Sequence, residues 1–217
     1  MLRPLVYLCA VSLLAGAAAL TFNESSDFDI SSCPISFFGQ PYERLYVNFT
    51  SVNFAVCFDG FYRPETRGDC ILGPAVIRDY GMLNIYPSNP VTESIFRQHL
   101  PSIGTDLQCV LNVITEQNGG PGYLALANFG TQAALYVQSP STTPVDFLVQ
   151  VGGNTAETVT VGNGPNSPQT GAYFDLSACR KSGVVYRPGT VVRSDSDTCS
   201  TETCDRTAVL HTFGCDL

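Results

Sequence analysis

The sequence predicts a mainly β fold (α+β at most): antiparallel sheets with one short helix, stapled by disulfides. Three observations carry this. Aromatic and β-branched residues alternate with polar ones over short runs, Gly, Pro and Asn separate those runs, and an even set of cysteines follows an export signal.

The export signal comes first. Residues 1–19 carry one positive charge at Arg3, an apolar run over 5–14, and then Gly16-Ala-Ala-Ala19, the three-part layout of a secretory signal peptide with cleavage expected near Ala19. A membrane anchor needs about 20 apolar residues, whereas here the small residues lead into the polar Thr21-Phe-Asn-Glu-Ser-Ser. No later stretch is long and apolar enough to span a bilayer, so the product is expected to be secreted, soluble and extracellular.

Removing the signal takes Cys9 and Arg3 with it. Of nine cysteines eight remain, and the net charge of −8 becomes −9. The eight, Cys33, Cys57, Cys70, Cys109, Cys179, Cys199, Cys204 and Cys215, are expected to pair, in about 105 possible ways. Cys57 and Cys70 flank the loop-like Arg63-Pro-Glu-Thr-Arg-Gly-Asp69 and could bridge locally. Metal binding is disfavoured by the lack of any C-x-x-C pair or partnering His cluster. The acidic balance and scattered basic residues argue against nucleic acid.

A mature chain of this length fits one domain. Residues 20–32 read as a loose polar leader, 33–193 as the β domain and 194–217 as a hydroxyl-rich, cysteine-pinned tail. In Ile35-Ser-Phe-Phe-Gly-Gln-Pro-Tyr42, Gly39 permits positive φ and Pro41 fixes its own, so a tight turn feeds a strand at Leu45-Tyr-Val. The helix is predicted after Ser88-Asn-Pro: Asn89 caps, Pro90 suits the first turn, Pro101 halts the pattern, and Val91, Ile95 and Phe96 are expected to face the core. Strand-like runs follow at 107–115, 123–129, 133–138, 145–151 and 157–161, separated by Asn118-Gly-Gly-Pro-Gly, Ser139-Pro, Gly152-Gly-Asn and Asn163-Gly-Pro.

Catalytic patterns are sparse. His99 and His211 read as ordinary polar residues, and no G-x-S-x-G elbow occurs. Asp59, Glu65, Asp69 and Asp79 lie in or beside loops, where carboxylates are more often solubilising than a hydrolytic pair. Asp195 and Asp197 imitate the start of a calcium loop without its later Gly and Glu. Gly119-Gly-Pro-Gly122 lacks the G-K-[ST] of a phosphate loop and reads as a turn. Two N-x-[ST] sequons place glycans at Asn23 and Asn48, the latter only if its side chain does not face the core.

One resemblance spans roughly residues 35–193. The run Phe37-Phe-Gly-Gln-Pro-Tyr-Glu-Arg-Leu-Tyr-Val-Asn48 resembles the entry motif of the nidogen-like (NIDO) extracellular domain. Ile71-Leu-Gly-Pro-Ala-Val-Ile-Arg-Asp79, Tyr123-Leu-Ala-Leu-Ala-Asn-Phe-Gly130, Val145-Asp-Phe-Leu-Val-Gln-Val-Gly152 and Ser182-Gly-Val-Val-Tyr-Arg-Pro-Gly-Thr-Val-Val-Arg193 are similar to its later elements, in order. The chain has no tryptophan, and Val76 and Val191 stand where the family carries two, which implies a repacked core. The resemblance implies an extracellular module of cell-matrix adhesion, with no catalytic centre and no cofactor, whose partner is an extracellular protein or glycan. Two other readings are a small-ligand carrier with an apolar cavity and a divergent hydrolase using loop carboxylates.

Overall fold

The computed structural model describes residues 19–65, 68–117, 120–162 and 171–214. In chain order the strands are β1 (Leu20–Phe22), β2 (Ser26–Asp29), β3 (Ile35–Phe37), β4 (Gln40–Tyr42), β5 (Arg44–Phe49), β6 (Asn53–Cys57), β7 (Cys70–Pro74) and β8 (Gly81–Pro87). Helix α1 (Pro90–His99) follows, then β9 (Cys109–Gln117), β10 (Gly120–Phe129), β11 (Gln132–Gln138), β12 (Val145–Val151) and β13 (Asn154–Val161). The chain continues through β14 (Gly171–Asp175), β15 (Cys179–Lys181), β16 (Val184–Tyr186), β17 (Val191–Asp195), β18 (Ser200–Cys204) and β19 (Leu210–Gly214). The fold is thus mainly antiparallel β with one short helix.

Two six-stranded sheets hold the core, in the orders β1-β8-β9-β10-β11-β14 and β13-β12-β7-β6-β5-β2. Strand alternation explains how they meet. Leu111, Val113, Leu124, Leu126, Leu135 and Val137 of the first sheet and Val47, Phe54, Val56, Ile71, Phe147 and Val149 of the second are all buried in one contiguous cluster. Their chain neighbours point to the outer faces. The interior between the sheets is therefore filled with side chains.

The segment 20–32, expected to be loose, instead supplies an edge strand to each sheet. Leu20 pairs with Leu83 and Phe28 with Leu45. Phe22 and Ile30 are buried in the main cluster, with Phe28 packed against it. The surrounding Asp and Ser residues mask an alternation in which only the apolar members turn inward. The expected boundary at 193/194 falls inside β17, and the cysteine-pinned tail that follows it forms, with β17, a three-stranded sheet, β17-β18-β19.

The turn at Phe38-Gly39 joins β3 to β4 with φ of 45° and 79°. Positive φ at both central residues is the two-residue hairpin turn that matches strand twist. Phe37 and Phe38 are buried and meet edge-on at 5.0 Å. A Cβ on Gly39 would lie 2.4 Å from the carbonyl oxygen of Ala178, so the turn needs glycine for space as well as for φ.

Helix α1 is capped as the sequence predicts: Thr92 N–H donates to Asn89 Oδ1 (2.8 Å) and Pro90 opens the first turn. Its packing differs from expectation. Phe96 is its buried residue, packed against Phe129 and Tyr173 on the outer face of the first sheet, while Val91 and Ile95 are 60% and 37% exposed. At about 100° per residue, Ile95 and Val91 lie about 100° and 140° around the helix from Phe96. The helix meets the sheet through Phe96 and the C-terminal His99, which both contact Tyr173, and this leaves Val91 and Ile95 turned toward solvent.

Of the two positions where tryptophan was expected to be replaced, Val76 packs against the main cluster but Val191 is 59% exposed, so only the first concerns the core.

Replacing Gly39 with Ala should cost about 1–3 kcal/mol in backbone strain, and more from the clash with Ala178. Chemical denaturation of the wild-type and G39A proteins measures the loss, whereas Gly183, with open space around it, should lose less when changed the same way.

Candidate functional site

The site starts from a cross-strand cystine. Cys57 and Cys70 stand opposite each other on β6 and β7, both on the outer face of the second sheet with Ala55 and Leu72. Their disulfide closes the intervening loop at its base, and Phe58 N–H donates to the carbonyl of Asp69 (3.0 Å) just above it. Phe58 turns inward against Phe37 (4.5 Å) and Tyr42 (5.4 Å). Its neighbour Asp59 turns outward.

From there the chain folds back over the sheet. Asn48, on β5, accepts the Tyr62 N–H with Oδ1 (3.0 Å) and donates Nδ2 to the Tyr62 carbonyl (3.1 Å), so one carboxamide pins the returning loop. Phe61 sits edge-on to Tyr46 at 5.3 Å and remains 38% exposed. The result is a concavity of about 280 Å³ lined by Asp59, Gly60, Phe61, Tyr62, Arg63, Gly68 and Cys70.

Beneath the loop lies a buried charge. Asp69 is 2% exposed, and its carboxylate is fully engaged: Oδ2 accepts from Tyr42 (2.8 Å) and pairs with Arg180 Nη1 (2.6 Å), while Oδ1 accepts Gly152 N–H (2.8 Å). Arg180 also reaches the carbonyls of Phe37 and Phe38. One carboxylate thus ties together the loop, the β3–β4 hairpin, β15 and the β12–β13 turn. Burial, the bond to Asp69 and the Asp69 charge push the Tyr42 hydroxyl's pKa up. It stays a neutral donor.

The Asp69 N–H in turn donates to both oxygens of Asp59 (3.1 and 3.2 Å). Partial removal from water raises the Asp59 carboxyl above its ordinary 3.8, and the nearby Asp69 charge adds to this, against the lowering effect of that N–H. Asp59 is the one acid among the described residues that line the concavity.

The other singled-out residues scatter. Three disulfides join Cys33 to Cys109, Cys57 to Cys70 and Cys179 to Cys204, and Cys199 is disulfide-bonded too; Cys215 lies outside the described residues. Asp69, expected among solubilising loop charges, is instead the buried anchor, whereas Glu65 and Asp79 are exposed. Asn23 is exposed between β1 and β2. Asn48 is 8% exposed: its side chain points away from the core, as a glycan would require, but the loop covers it and takes both ends of its carboxamide. His99 stacks on Tyr173 at 4.2 Å and His211 pairs with Asp205 at 2.9 Å, and neither is among the described residues lining the concavity. Asp195 accepts from the Asp197 and Thr198 amides and pairs with Arg193, the Thr198 bond holding its carboxyl low, which makes it a turn former. Of the Asn118-Gly-Gly-Pro-Gly122 turn, residues 118–119 lie outside the described residues, while 120–122 open β10 and pair with 115–117 of β9. Among the described residues no group of three or more His, Cys, Asp and Glu side chains is placed to hold a metal ion.

Sequence reasoning did not find Arg180, Tyr42 or the anchoring role of Asn48. The only available signal was the aromatic-rich entry motif, which contains Tyr42 and Asn48 but says nothing of a partner more than a hundred residues away. No family model, curated protein or solved structure matches the chain.

Removing one partner of a buried pair leaves the other charge uncompensated, so Asp69→Ala and Arg180→Ala should each cost about 3–5 kcal/mol. The double variant should lose less than the sum, as a double-mutant cycle in denaturant will read out. Asp59 gives a pH-dependent effect. Because its folded pKa is raised, the stability linked to it is present below pH 3.8 and lost as pH rises through the folded value. Asp59→Asn should therefore raise Tm at pH 7, with the gain disappearing at pH 3.

Proposed function

We propose that this chain is a secreted, non-enzymatic extracellular binding or structural protein that acts in cell-matrix adhesion through surface contacts centred on the Asp59–Arg63 concavity. The observation that carries the reading is the construction of that concavity: a loop closed by a cystine, pinned by Asn48 and seated on the buried Asp69–Arg180 pair, presenting an exposed ring and a carboxylate. Loops positioned by a rigid β scaffold are common carriers of recognition.

Several features support the rest. The disulfides suit an oxidising compartment, and no helix among the described residues is long and apolar enough to cross a membrane. The N-terminal signal and the similarity of the Phe37-Phe-Gly motif to the nidogen-like domain favour export and adhesion. The filled interior gives little support to a carrier with an apolar cavity. A hydrolase built on Asp59 and Asp69 would need Asp69 free, yet its oxygens are held by Tyr42, Arg180 and Gly152.

The test is a solid-phase assay of the purified secreted protein against a panel of extracellular-matrix preparations. Saturable retention by at least one is expected, reduced when Phe61 is changed to Ala. No retention across the panel, or hydrolysis of a matrix glycan or peptide by the pure protein, would overturn the reading.

A further inference from the structure

Strand β19 (Leu210–Gly214) ends its sheet with open backbone groups and no device against pairing. We propose that it pairs antiparallel with β19 of a second copy of this chain across a two-fold axis at Thr212, joining the two three-stranded sheets into one. The inference is independent of the Asp59–Arg63 concavity.

Hydrogen bonding gives the register. Cys204 directs both its backbone groups to the β17 side: its N–H donates to the Thr190 carbonyl (2.9 Å) and its own carbonyl accepts from the Gly189 N–H (2.7 Å). Its cross-strand neighbour Leu210 therefore makes no ladder bond with it. Such pairs alternate along an antiparallel ladder, so His211 and Phe213 bond to β18, whereas Leu210, Thr212 and Gly214 turn their N–H and C=O groups outward. Among the described strands none lies beyond β19. A second β19 run antiparallel about Thr212 sets Thr212 opposite itself and Leu210 opposite Gly214, and the backbone of all three faces out. Pairing in that register makes about six backbone hydrogen bonds. A slip of one residue sets outward-facing groups against inward-facing ones.

The side chains fit the same register. One face sets Leu210 over Gly214 of the other copy, where a Cβ would meet nothing within 4 Å, so a leucine has room. The other face sets His211 opposite Phe213 of the other copy. Phe213, 58% exposed and 6.2 Å from His211 of its own strand, is covered there by a second imidazole. Aromatic cross-strand pairs of this kind stabilise a sheet. A foreign strand would have to reproduce the match, whereas a second copy brings it by symmetry.

Charge permits the pairing. β19 contains no Asp, Glu, Lys, Arg or Pro. Of the acids beside it, Glu202, which faces Thr212 on β18, is held by Lys181, and Asp205 of the β18–β19 turn is held by His211. The opposite edge of the same sheet is blunted: β17 carries Arg193 and Asp195 and a register irregularity between Val191 and Arg193. The edge strand β2 carries Asp27 and Asp29. Charges and bulges of this kind keep sheet edges from pairing, and the described residues of β19 have neither. Two five-residue strands bury less than the roughly 1,600 Å² of a standard interface, so the dimer is weak and concentration-dependent. It carries two concavities to a multivalent surface, where avidity increases retention.

The experiment is analytical ultracentrifugation of the intact secreted protein from about 1 μM to about 1 mM, the range in which an interface of this size titrates. A reversible monomer–dimer equilibrium is expected, strengthened by added salt because both copies are acidic and the pairing strands are uncharged. Thr212→Pro removes an outward N–H and Phe213→Lys sets a charge on the edge, and each should weaken association about tenfold or more. The Thr212 amide faces out and the Phe213 side chain is exposed, so both variants should fold, and Tm measured alongside separates lost pairing from lost folding. Val191→Lys, on the β17 edge and 59% exposed, should leave association unchanged. A protein that stays monomeric at the highest concentration, a dimer insensitive to Phe213→Lys and to a folded Thr212→Pro, or a dimer weakened as much by Val191→Lys or by salt would overturn the proposal.

Discussion

The buried pair of Asp69 and Arg180 is the constraint on which this architecture turns. A charge taken out of water needs compensation from partners in fixed positions, and Asp69 finds it in Arg180, Tyr42 and the Gly152 amide. Those partners come from segments far apart in the chain. Satisfying one carboxylate therefore fixes the entry hairpin, the β12–β13 turn and β15 relative to one another. Arg187 reinforces the arrangement, bonding the Asp175 carbonyl and Glu157 and lying over the rings of Phe38 and Phe174.

The loop above the pair is joined to it through Asp69. Asp69 belongs to the buried anchor through its side chain and to the concavity through its N–H, which holds Asp59 in place. Asp59 is thus kept partly desolvated and at an energetic disadvantage as an anion. A carboxylate that costs stability where it stands is what a recognition site often retains, because the group is placed for a ligand rather than for the fold. The Cys57–Cys70 disulfide and the Asn48 carboxamide hold the same loop at its base and at Tyr62.

Much of the scaffold was legible in the residues. The capping of α1 by Asn89 and Pro90, the Phe38-Gly39 turn and the runs that became β9 to β13 obey local rules of dihedral preference and alternation, which act within a few residues. Local rules failed where a residue's partner lay elsewhere. Val91 and Ile95 have a helix-face pattern, but which face is covered depends on the sheet below. Residues 20–32 are polar on average, yet Phe22, Phe28 and Ile30 find the core because two sheets offer open edges. Asn48 reads as a glycan acceptor until a loop from beyond β6 folds over it.

By itself, the sequence determined the antiparallel β character, the short capped helix and the glycine-dependent turn, together with a set of cysteines suited to bridging. These follow from forces between near neighbours along the chain, or from composition alone. Only the tertiary structure decided which cysteines pair, that Asp69 is buried rather than solvated, and that Asp59, Phe61 and Arg63 share one concavity. Each of these depends on desolvation and on the meeting of distant segments, and both are properties of the packed chain that no stretch of residues encodes alone.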